Sequence, residues 1–373
     1  MVSILSMTQF LRPALASLSA AAFAGCIGAK HGCKALCSIP EQNQTTLQAA
    51  IAAGKGPTLI AFYADHHVVP LPKGHRFPMD KYRATRMILE EDLLLRNLLT
   101  TFPAPLATEN ELCLVHSESY VQRVFSGALN EREQRELGFP WSRELVARSR
   151  CSSGGTLAAM HAVMLGLRRA AANIAGGTHH AFPEHGEGFC VFNDISVAAV
   201  AALEAYPSRC NLASPVLVID LDVHQGNGTA QIFENDKRVI TFSIQGANNY
   251  PWRTRMKSDY DVDLPDKTGD EEYVSILKDW LDKLFQIHSP GLVFFQAGVD
   301  ALREDSFGRL NLSRQGLLQR NNLVYSSCMQ RSVPLVITMG GGYSRPHTVS
   351  VQAHADVYRS AALRYGIGTL ATD

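Results

Sequence analysis

The sequence predicts a single α/β domain built on a doubly wound, mainly parallel β-sheet with helices on both faces. From about Thr58 onward, short β-branched or aromatic runs alternate with longer segments of helical periodicity, and the chain shows no internal repeat and no obvious linker. Most of the short runs are continuously apolar, which is typical of strands that are buried on both faces. The chain has 373 residues, of which 46% are hydrophobic, and this share is typical of a folded protein.

Five apolar runs are predicted as strands, at residues 58–63, 215–219, 239–244, 291–295 and 334–338. Two alanine-rich segments, 154–172 and 195–206, are predicted as helices. A third helix is predicted after Asp270, where apolar residues recur at the i, i+3, i+4 spacing of an amphipathic helix. These elements define one domain over residues 58–366, whose ligand crevice is expected at the carboxyl ends of the strands.

Residues 1–40 differ in composition from the rest of the chain. They are rich in serine and alanine, Arg12 is one of their few charged side chains, and the first acidic residue is Glu41. This composition predicts an organelle transit peptide, and hence a mitochondrial or plastid location. Two alternatives remain open: a disordered leader on a protein of the nucleus and cytoplasm, and a secretory signal. The uncharged stretch 13–29 has 17 residues, the lower limit for crossing a bilayer, and it contains proline and little Leu or Ile, so a membrane span is disfavoured.

Charge and cysteine content exclude other classes of protein. The 35 Lys and Arg residues balance 35 Asp and Glu residues, so no basic excess is present for general nucleic-acid binding. We therefore expect neither intrinsic nucleic-acid binding nor membrane association. Three of the eight cysteines lie in the leader, and the others form no CxxC pair, which fits a reducing compartment and no disulfide framework.

Acidic and imidazole side chains follow several of the predicted strands. Asp222 and His224 come shortly after the strand at 215–219, and Asp300 follows the strand at 291–295. Because the carboxyl ends of parallel strands meet at one edge of a sheet, we expect these side chains to converge. Two aspartates and one histidine form a three-ligand set with an open position, which is typical of a catalytic zinc site. For any one aspartate, capping of the next helix is the alternative.

Four motifs occur together in this region: GGTHHA (176–181), DLDVHQGNG (220–228), AGVD (297–300) and GGGY (340–343). Their combination argues against capping as the common explanation. With these motifs, residues 58–366 resemble a zinc-dependent histone deacetylase of the arginase/deacetylase superfamily. Within this family, the sequence is most similar to the class IV, or eleven-type, branch and its plant and bacterial relatives. This similarity rests on the HQGNG form and on the segments RFPMDKY and QAGVDALREDSFGRL.

The resemblance implies a role for each motif residue. The implied ligands of one catalytic Zn²⁺ are Asp222, His224 and Asp300. The implied catalytic residues are His179, His180 and Tyr343, and the residues implied to support them are Asp220 and Asn227. The implied wall of the substrate tunnel consists of Gly188, Phe189, Gly341 and Gly342. A structural monovalent cation, K⁺, is implied at main-chain oxygens near Asp220, Asp222 and His224 and at Ser243.

These residue types suit the hydrolysis of an amide. An amide carbonyl is a poor electrophile, so zinc and the Tyr343 hydroxyl would polarise its oxygen while a metal-activated water attacks the carbon. We expect His180 to act as the general base and His179 as its electrostatic partner, with Asp220 accepting a hydrogen bond from His179. Asn227 would face His180 where the nuclear class I pattern often has Asp. An amide cannot ionise, so His180 should be easier to keep neutral.

The favoured function is the removal of acetyl groups from lysine side chains of histone or non-histone proteins. One alternative is the same chemistry on long fatty-acyl lysine or on small acetylated amines such as a polyamine. A polyamine enzyme would need an acidic gatekeeper, for which the sequence offers Glu184, Glu187 and Asp259. Another alternative is a non-catalytic acetyl-lysine binder, which would lack a ligand or the tyrosine; this chain lacks neither.

Two further features are interpreted without a motif. Tyr250 or Trp252 is expected to supply the second aromatic wall of the tunnel. The tandem pair His66 and His67 lies at the end of the first predicted strand, but no ligand carboxylates accompany it as they do at the other pair. We therefore interpret His66 and His67 as rim or loop residues and not as part of a second metal site.

Overall fold

Parallel strands form one eight-stranded sheet in the computed structural model, which describes residues 59–370. The strands are Leu59–Tyr63 (β1), Leu99–Pro103 (β2), Ala170–Asn173 (β3), Val216–Asp220 (β4), Val239–Gly246 (β5), Tyr260–Leu264 (β6), Leu292–Gln296 (β7) and Leu335–Thr338 (β8). Their order across the sheet is β2-β1-β3-β8-β7-β4-β5-β6, and neighbouring strands run parallel. The predicted α/β class is confirmed, and the predicted leader, residues 1–40, lies outside the described residues.

Ten α-helices and one 3₁₀ turn, Leu93–Leu95, connect the strands over the described residues. The helices are Lys81–Glu91 (α1), Glu109–Leu112 (α2), Glu118–Ser126 (α3), Glu131–Leu137 (α4), Arg143–Met164 (α5), Asp194–Ala205 (α6), Asn227–Phe233 (α7), Asp270–His288 (α8), Arg314–Gln330 (α9) and His347–Leu370 (α10). Over this part of the chain, none of the helices has the length and apolar character needed to cross a bilayer.

Alternate residues of the central strands face two different helix layers. Leu217 and Ile219 of β4 share one hydrophobic core with Tyr273 of α8, and the same core includes residues of α9 and α10. On the other face of the sheet, α5 packs on β1, β3 and β8 and against α6. Both faces of the central strands are therefore buried, which explains why their sequences are continuously apolar.

The predicted amphipathic helix after Asp270 is confirmed as α8. Its acidic first turn, which begins with Asp270 and Glu271, places negative charge at the positive end of the helix dipole. Tyr273, Leu277 and Leu281 are buried along one side of the helix, and the residues between them are mostly exposed. The period of the sequence thus matches the face that packs on the sheet.

All five predicted strands are present, with ends within two residues of the predicted ones, but the predicted helix at 154–172 is wrong in its second half. Helix α5 ends at Met164, Gly166 adopts a left-handed φ of 73°, and Ala170–Asn173 forms the central strand β3. This strand pairs with β1 and β8 and is buried on both sides. Its alanines fit between close-packed neighbours, so tertiary packing outweighs their helix propensity.

A substitution in α5 tests this close packing. Gly154→Ala should lower the free energy of unfolding by about 1–3 kcal/mol, because a Cβ at this position would overlap the carbonyl oxygen of Pro105. In an uncrowded helix the same change would stabilise by about 1 kcal/mol. Gly269→Ser, which places a side chain in open space at the N-cap of α8, is the control and should leave stability unchanged or slightly higher. Equal or higher stability of Gly154→Ala in urea unfolding would contradict the packing argument.

Candidate active site

The carboxyl ends of four neighbouring strands deliver the predicted site residues to one place. His179 and His180 follow β3, Asp222 and His224 follow β4, and the ligand candidate after β7 is Asp300. Tyr343 lies in the loop after β8, and all of these side chains except that of the half-buried Tyr343 belong to buried residues. β3, β8, β7 and β4 are consecutive in the sheet, so residues from distant parts of the sequence converge.

Asp222, His224 and Asp300 form a compact trio. One ligand atom of each residue lies within 4.8 Å of the others, and Nδ1 of His224 is 3.0 Å from Asp222 Oδ1 and 3.1 Å from Asp300 Oδ2. The remaining carboxylate oxygens accept backbone hydrogen bonds, Asp300 Oδ1 from Val223 (2.9 Å) and Asp222 Oδ2 from Gly341 (2.8 Å). These bonds orient each carboxylate toward His224.

The electrostatics of the trio fit a divalent cation. Burial and the neighbouring Asp222 carboxylate raise the pKa of Asp300 to about 7. Burial alone would lower the pKa of His224, but its hydrogen bonds to Asp222 and Asp300 outweigh burial and raise that pKa to about 10. The buried carboxylates thus attract positive charge, either a proton on His224 or a divalent cation in its place, and two oxygens and one nitrogen are an accepted donor set for zinc.

A buried arginine that the sequence analysis missed connects the two loops that carry the trio. Arg320 of α9 is fully buried, and its guanidinium donates hydrogen bonds to the carbonyls of Leu221 (3.1 Å), Gly298 (2.6 Å) and Ala297 (3.3 Å). Leu221 precedes Asp222, and Gly298 lies two residues before Asp300. No local pattern marks this arginine, because its partners are backbone atoms far away in sequence.

The two adjacent histidines have different hydrogen-bond partners. Nδ1 of His179 is 2.7 Å from Asp220 Oδ2, whereas Nδ1 of His180 is 2.7 Å from Asn227 Oδ1. Both partners are acceptors, so each imidazole carries its proton on Nδ1 when it is neutral, which leaves Nε2 as the basic atom. This pairing is the one expected from the motifs.

The two histidines have opposite pKa shifts. Burial alone would lower the pKa of His179, but Asp220 and Asp222 outweigh burial and raise this pKa to about 9. Burial and the neighbouring His179 and His224 lower the pKa of His180 well below its ordinary value. At neutral pH, His179 is therefore a cation and His180 a neutral base.

Behind Asn227 lies a carboxylate whose position the sequence did not reveal. Glu187 Oε1 accepts hydrogen bonds from Asn227 Nδ2 (3.0 Å), Thr254 Oγ1 (2.6 Å) and the Tyr250 hydroxyl. Burial alone would raise the pKa of Glu187, but the nearby His185 imidazole, 3.9 Å away, and the hydrogen bonds that Glu187 accepts lower it to about 2. Glu187 is thus ionised and is linked to His180 through the Asn227 amide.

Tyr343 and Lys81 organise the glycine loop after β8. The Tyr343 backbone N–H donates to Asp305 Oδ2 (2.6 Å), and its ring lies 4.8 Å from the Phe307 ring. Burial, together with Asp222 and Asp300, raises the pKa of Tyr343 well above its ordinary value, so its hydroxyl keeps its proton. The buried Lys81 ammonium, at the start of α1, donates to the Gly340 carbonyl (3.0 Å). Lys81 was part of a quoted motif but was not predicted as a site residue.

A cleft of about 720 Å³ leads to this site from the surface, and a second cavity of about 40 Å³ lies beside the trio. The residues that line both are His180, Gly188, Phe189, His224 and Tyr343. Gly188 and Phe189 have left-handed φ values of 56° and 67°. A Cβ on Gly188 would lie 2.7 Å from the His180 ring, so this close approach requires glycine.

The other predicted tunnel residues occupy different positions. Gly341 lines the inner cavity, whereas Gly342 packs against His354 and lines neither cavity. Both aromatic candidates for the second wall line the cleft. The Tyr250 ring is 5.1 Å from the His180 ring, whereas Trp252 is 72% exposed, so Tyr250 lies near the site and Trp252 at the rim.

Comparison with known proteins finds similarity to histone deacetylases. The family pattern described as "Histone deacetylase domain" matches residues 75–357. An uncharacterized protein of Picosynechococcus sp. (strain ATCC 27264 / PCC 7002 / PR-6) is 39% identical over 300 residues, which are 80% of this chain and 97% of the relative. Histone deacetylase 2 of Arabidopsis thaliana is 32% identical over 74% of this chain and 71% of its own length.

A yeast relative and a solved structure agree with these matches. Histone deacetylase clr6 of Schizosaccharomyces pombe is 30% identical and aligns over 78% of this chain and 74% of its own length. The crystal structure of the HDA15 HD domain is similar in fold, with a TM-score of 0.67, 23% identity, and coverage of 83% of this chain and 93% of that chain.

Proposed function

Because the chain belongs to the histone deacetylase family, we propose that it is a zinc-dependent hydrolase that removes acetyl groups from lysine side chains of proteins. The observation that carries the proposal is the trio of Asp222, His224 and Asp300 beside a neutral His180 and a protonated Tyr343. The three kinds of group needed for amide hydrolysis are a metal site, a base and an oxygen-polarising donor, and these residues provide all three.

Zinc held by Asp222, His224 and Asp300 would act as a Lewis acid and make a nucleophilic water available at neutral pH. His180 takes a proton from water at Nε2, because its Nδ1 donates to Asn227. The same nitrogen then delivers that proton to the departing lysine amine, which leaves the acetyl group as acetate. Tyr343 donates its hydroxyl hydrogen to the carbonyl oxygen as negative charge develops there.

His179 contributes through its charge. Because Asp220 and Asp222 raise its pKa to about 9, it remains an imidazolium at neutral pH. Its ring lies 4.1 Å from the His180 ring, where the positive charge disfavours protonation of His180. This arrangement keeps the base free before reaction and makes His180 a stronger acid after it has accepted a proton.

The Asn227–Glu187 pair positions the base. Asn227 can present its oxygen to His180 because its amide nitrogen is held by acceptors, Glu187 Oε1 at 3.0 Å and the Thr254 carbonyl at 3.1 Å. The pair thus fixes both the ring orientation and the tautomer of His180. The ionised Glu187 also supplies a negative charge that favours the imidazolium formed during turnover, without placing a carboxylate directly on the ring.

The cavities support a short acyl group on a lysine side chain. The inner cavity of about 40 Å³ is small, which favours an acetyl group over a long fatty-acyl chain. The cleft wall includes three arginines, Arg76, Arg135 and Arg309, and one carboxylate, Glu136, so its lining has a net positive charge although Arg135, Arg309 and Glu136 each pair with a neighbouring side chain of opposite charge. The positive charge of this rim disfavours binding of a polyamine, which is itself a cation.

The proposed acidic gatekeepers occupy unsuitable positions. Glu187 is buried in the hydrogen-bond network behind His180, and neither Glu184 nor Asp259 lines the cleft. Asp259 instead pairs with Lys237 and accepts hydrogen bonds from Thr241. These positions favour a protein substrate over a small cationic amine.

One buried polar atom is suited to bind a structural K⁺. The Ser243 hydroxyl oxygen is buried without a hydrogen-bond partner, and Ser243 pairs in register with Asp220 on the adjacent strand. A monovalent cation at this point would bind the hydroxyl together with main-chain oxygens of the loop that carries Asp222 and His224. We include this cation in the proposal as a support for the loop.

A substrate comparison tests the function. The purified protein with bound zinc should hydrolyse acetyl-lysine peptides faster than matched myristoyl-lysine peptides or acetylated polyamines, because of the small inner cavity and the basic rim. A hydroxamate should inhibit the reaction by competing for the metal. Faster cleavage of myristoyl-lysine would identify a defatty-acylase, and full zinc occupancy without cleavage of any of these compounds would contradict the proposed activity.

Removal of one hydroxyl tests the role of Tyr343. Tyr343→Phe should retain zinc and fold normally but lower kcat by about 10²–10³-fold, because only the donor to the developing oxyanion is lost. Tyr260→Phe, which removes a hydroxyl from the edge strand β6, is the matched control and should keep full activity. Unchanged kcat in Tyr343→Phe would exclude the tyrosine from catalysis.

The Asn227–Glu187 pair is tested by Glu187→Gln, with Glu184→Gln, at an exposed neighbouring carboxylate, as the control. Loss of the negative charge should lower kcat by about 10–100-fold. It should also shift the acidic limb of the kcat/KM profile to lower pH, because the imidazolium of His180 loses a stabilising charge and the pKa of His180 falls. A loss of thermal stability with no change in the pH profile would show that Glu187 is only structural.

A further inference from the structure

A second cluster of metal-ligating side chains lies outside the candidate active site. His66 and His67 follow β1, and Cys151 lies on α5; one ligand atom of each residue lies within 4.8 Å of the others. The Cys151 sulfur is 4.0 Å from His66 Nε2, and the two imidazole rings are 4.4 Å apart. From sequence the two histidines lacked a partner ligand, and the fold supplies one from a helix far along the chain.

We propose that His66, His67 and Cys151 bind a second Zn²⁺ ion, with water in the fourth position. Two imidazole nitrogens and a thiolate are ligands that zinc accepts, at about 2.0–2.1 Å for nitrogen and 2.3 Å for sulfur. Tetrahedral ligation at these lengths places ligand atoms about 3.5 Å apart. The ligand atoms lie within 4.8 Å of one another, so the cluster must close by about 1.3 Å at most. The loop that carries the exposed His66 can provide this movement while Cys151 stays on its helix.

The donor set distinguishes this site from the Asp222–His224–Asp300 trio. A thiolate favours zinc over magnesium or calcium, whereas the trio has two carboxylates and no sulfur. Binding converts the Cys151 thiol to a thiolate and releases its proton to solvent. The thiol donates to the Ala104 carbonyl, at 3.3 Å, and its sulfur also contacts His66 Nε2 at 4.0 Å; both contacts are weak, and the metal would replace them.

The surrounding charges determine how the site is completed. Asp65, next to His66, is held by Arg86 through Oδ1 (3.0 Å) and Oδ2 (2.9 Å), so it is not free to act as the fourth ligand. His66 is exposed, so an ion can reach the cluster from solvent, and a water can complete the coordination. A bound ion would join the loop after β1 to α5.

Cobalt substitution gives this site a signal of its own. Full-length protein loaded with Co²⁺ should show a near-ultraviolet thiolate-to-cobalt charge-transfer band, which the thiolate-free trio cannot produce. Zinc analysis should find two ions per chain. Cys151→Ala and the surface variant His66→Ala should both lose the band and one ion, whereas Asp222→Asn should lose the other ion and keep the band.

Cys113→Ser is the matched control, because Cys113 is a partly exposed cysteine outside the cluster, and it should keep both ions and the band. His66→Ala changes an exposed side chain and leaves the buried Cys151 intact, so loss of the band in this variant would not result from misfolding. A wild-type protein with no charge-transfer band would overturn the proposal, as would a band that persists in both His66→Ala and Cys151→Ala. Neither result depends on deacetylase activity.

Discussion

Two carboxylates buried side by side at the end of a parallel sheet impose the main constraint on this structure. Asp222 and Asp300 are almost without solvent contact, so their repulsion must be balanced locally. Backbone N–H groups bind their outer oxygens, His224 lies between their inner oxygens, and Arg320 holds the carbonyls of both loops. The proposed divalent cation would complete this balance, and the features that would place it also stabilise the loops.

The adjacent histidines His179 and His180 differ in their hydrogen-bond acceptors and in their protonation states. Asp220 helps to make His179 a cation, whereas burial and the neighbouring His179 and His224 keep His180, whose partner is the Asn227 amide, neutral. Glu187 lies one hydrogen bond further from His180 and still provides a negative charge. The surroundings of each ring thus set the protonation state that each histidine would bring to the proposed reaction.

The two tandem histidine pairs of this chain show that a local sequence pattern does not reveal ligands that come from distant parts of the chain. The sequence identifies His179 and His180 as site candidates because they lie in a motif and a candidate set of metal ligands occurs with it. His66 and His67 look similar in sequence, but their candidate third ligand, Cys151, lies on a helix that reaches them only in the folded chain. The two pairs thus differ in what the fold brings to them and not in their own residue types.

The sequence by itself determined five of the eight strands, the α/β class and the candidate metal trio, because apolar runs and the Asp222-x-His224 spacing act over a few residues. Only the tertiary structure decided that the alanines of β3 form a strand and that the partly polar edges β2 and β6 join the sheet. It also decided the roles of Glu187 and Arg320. Their partners are distant in sequence, and such contacts arise from packing, which no local spacing encodes.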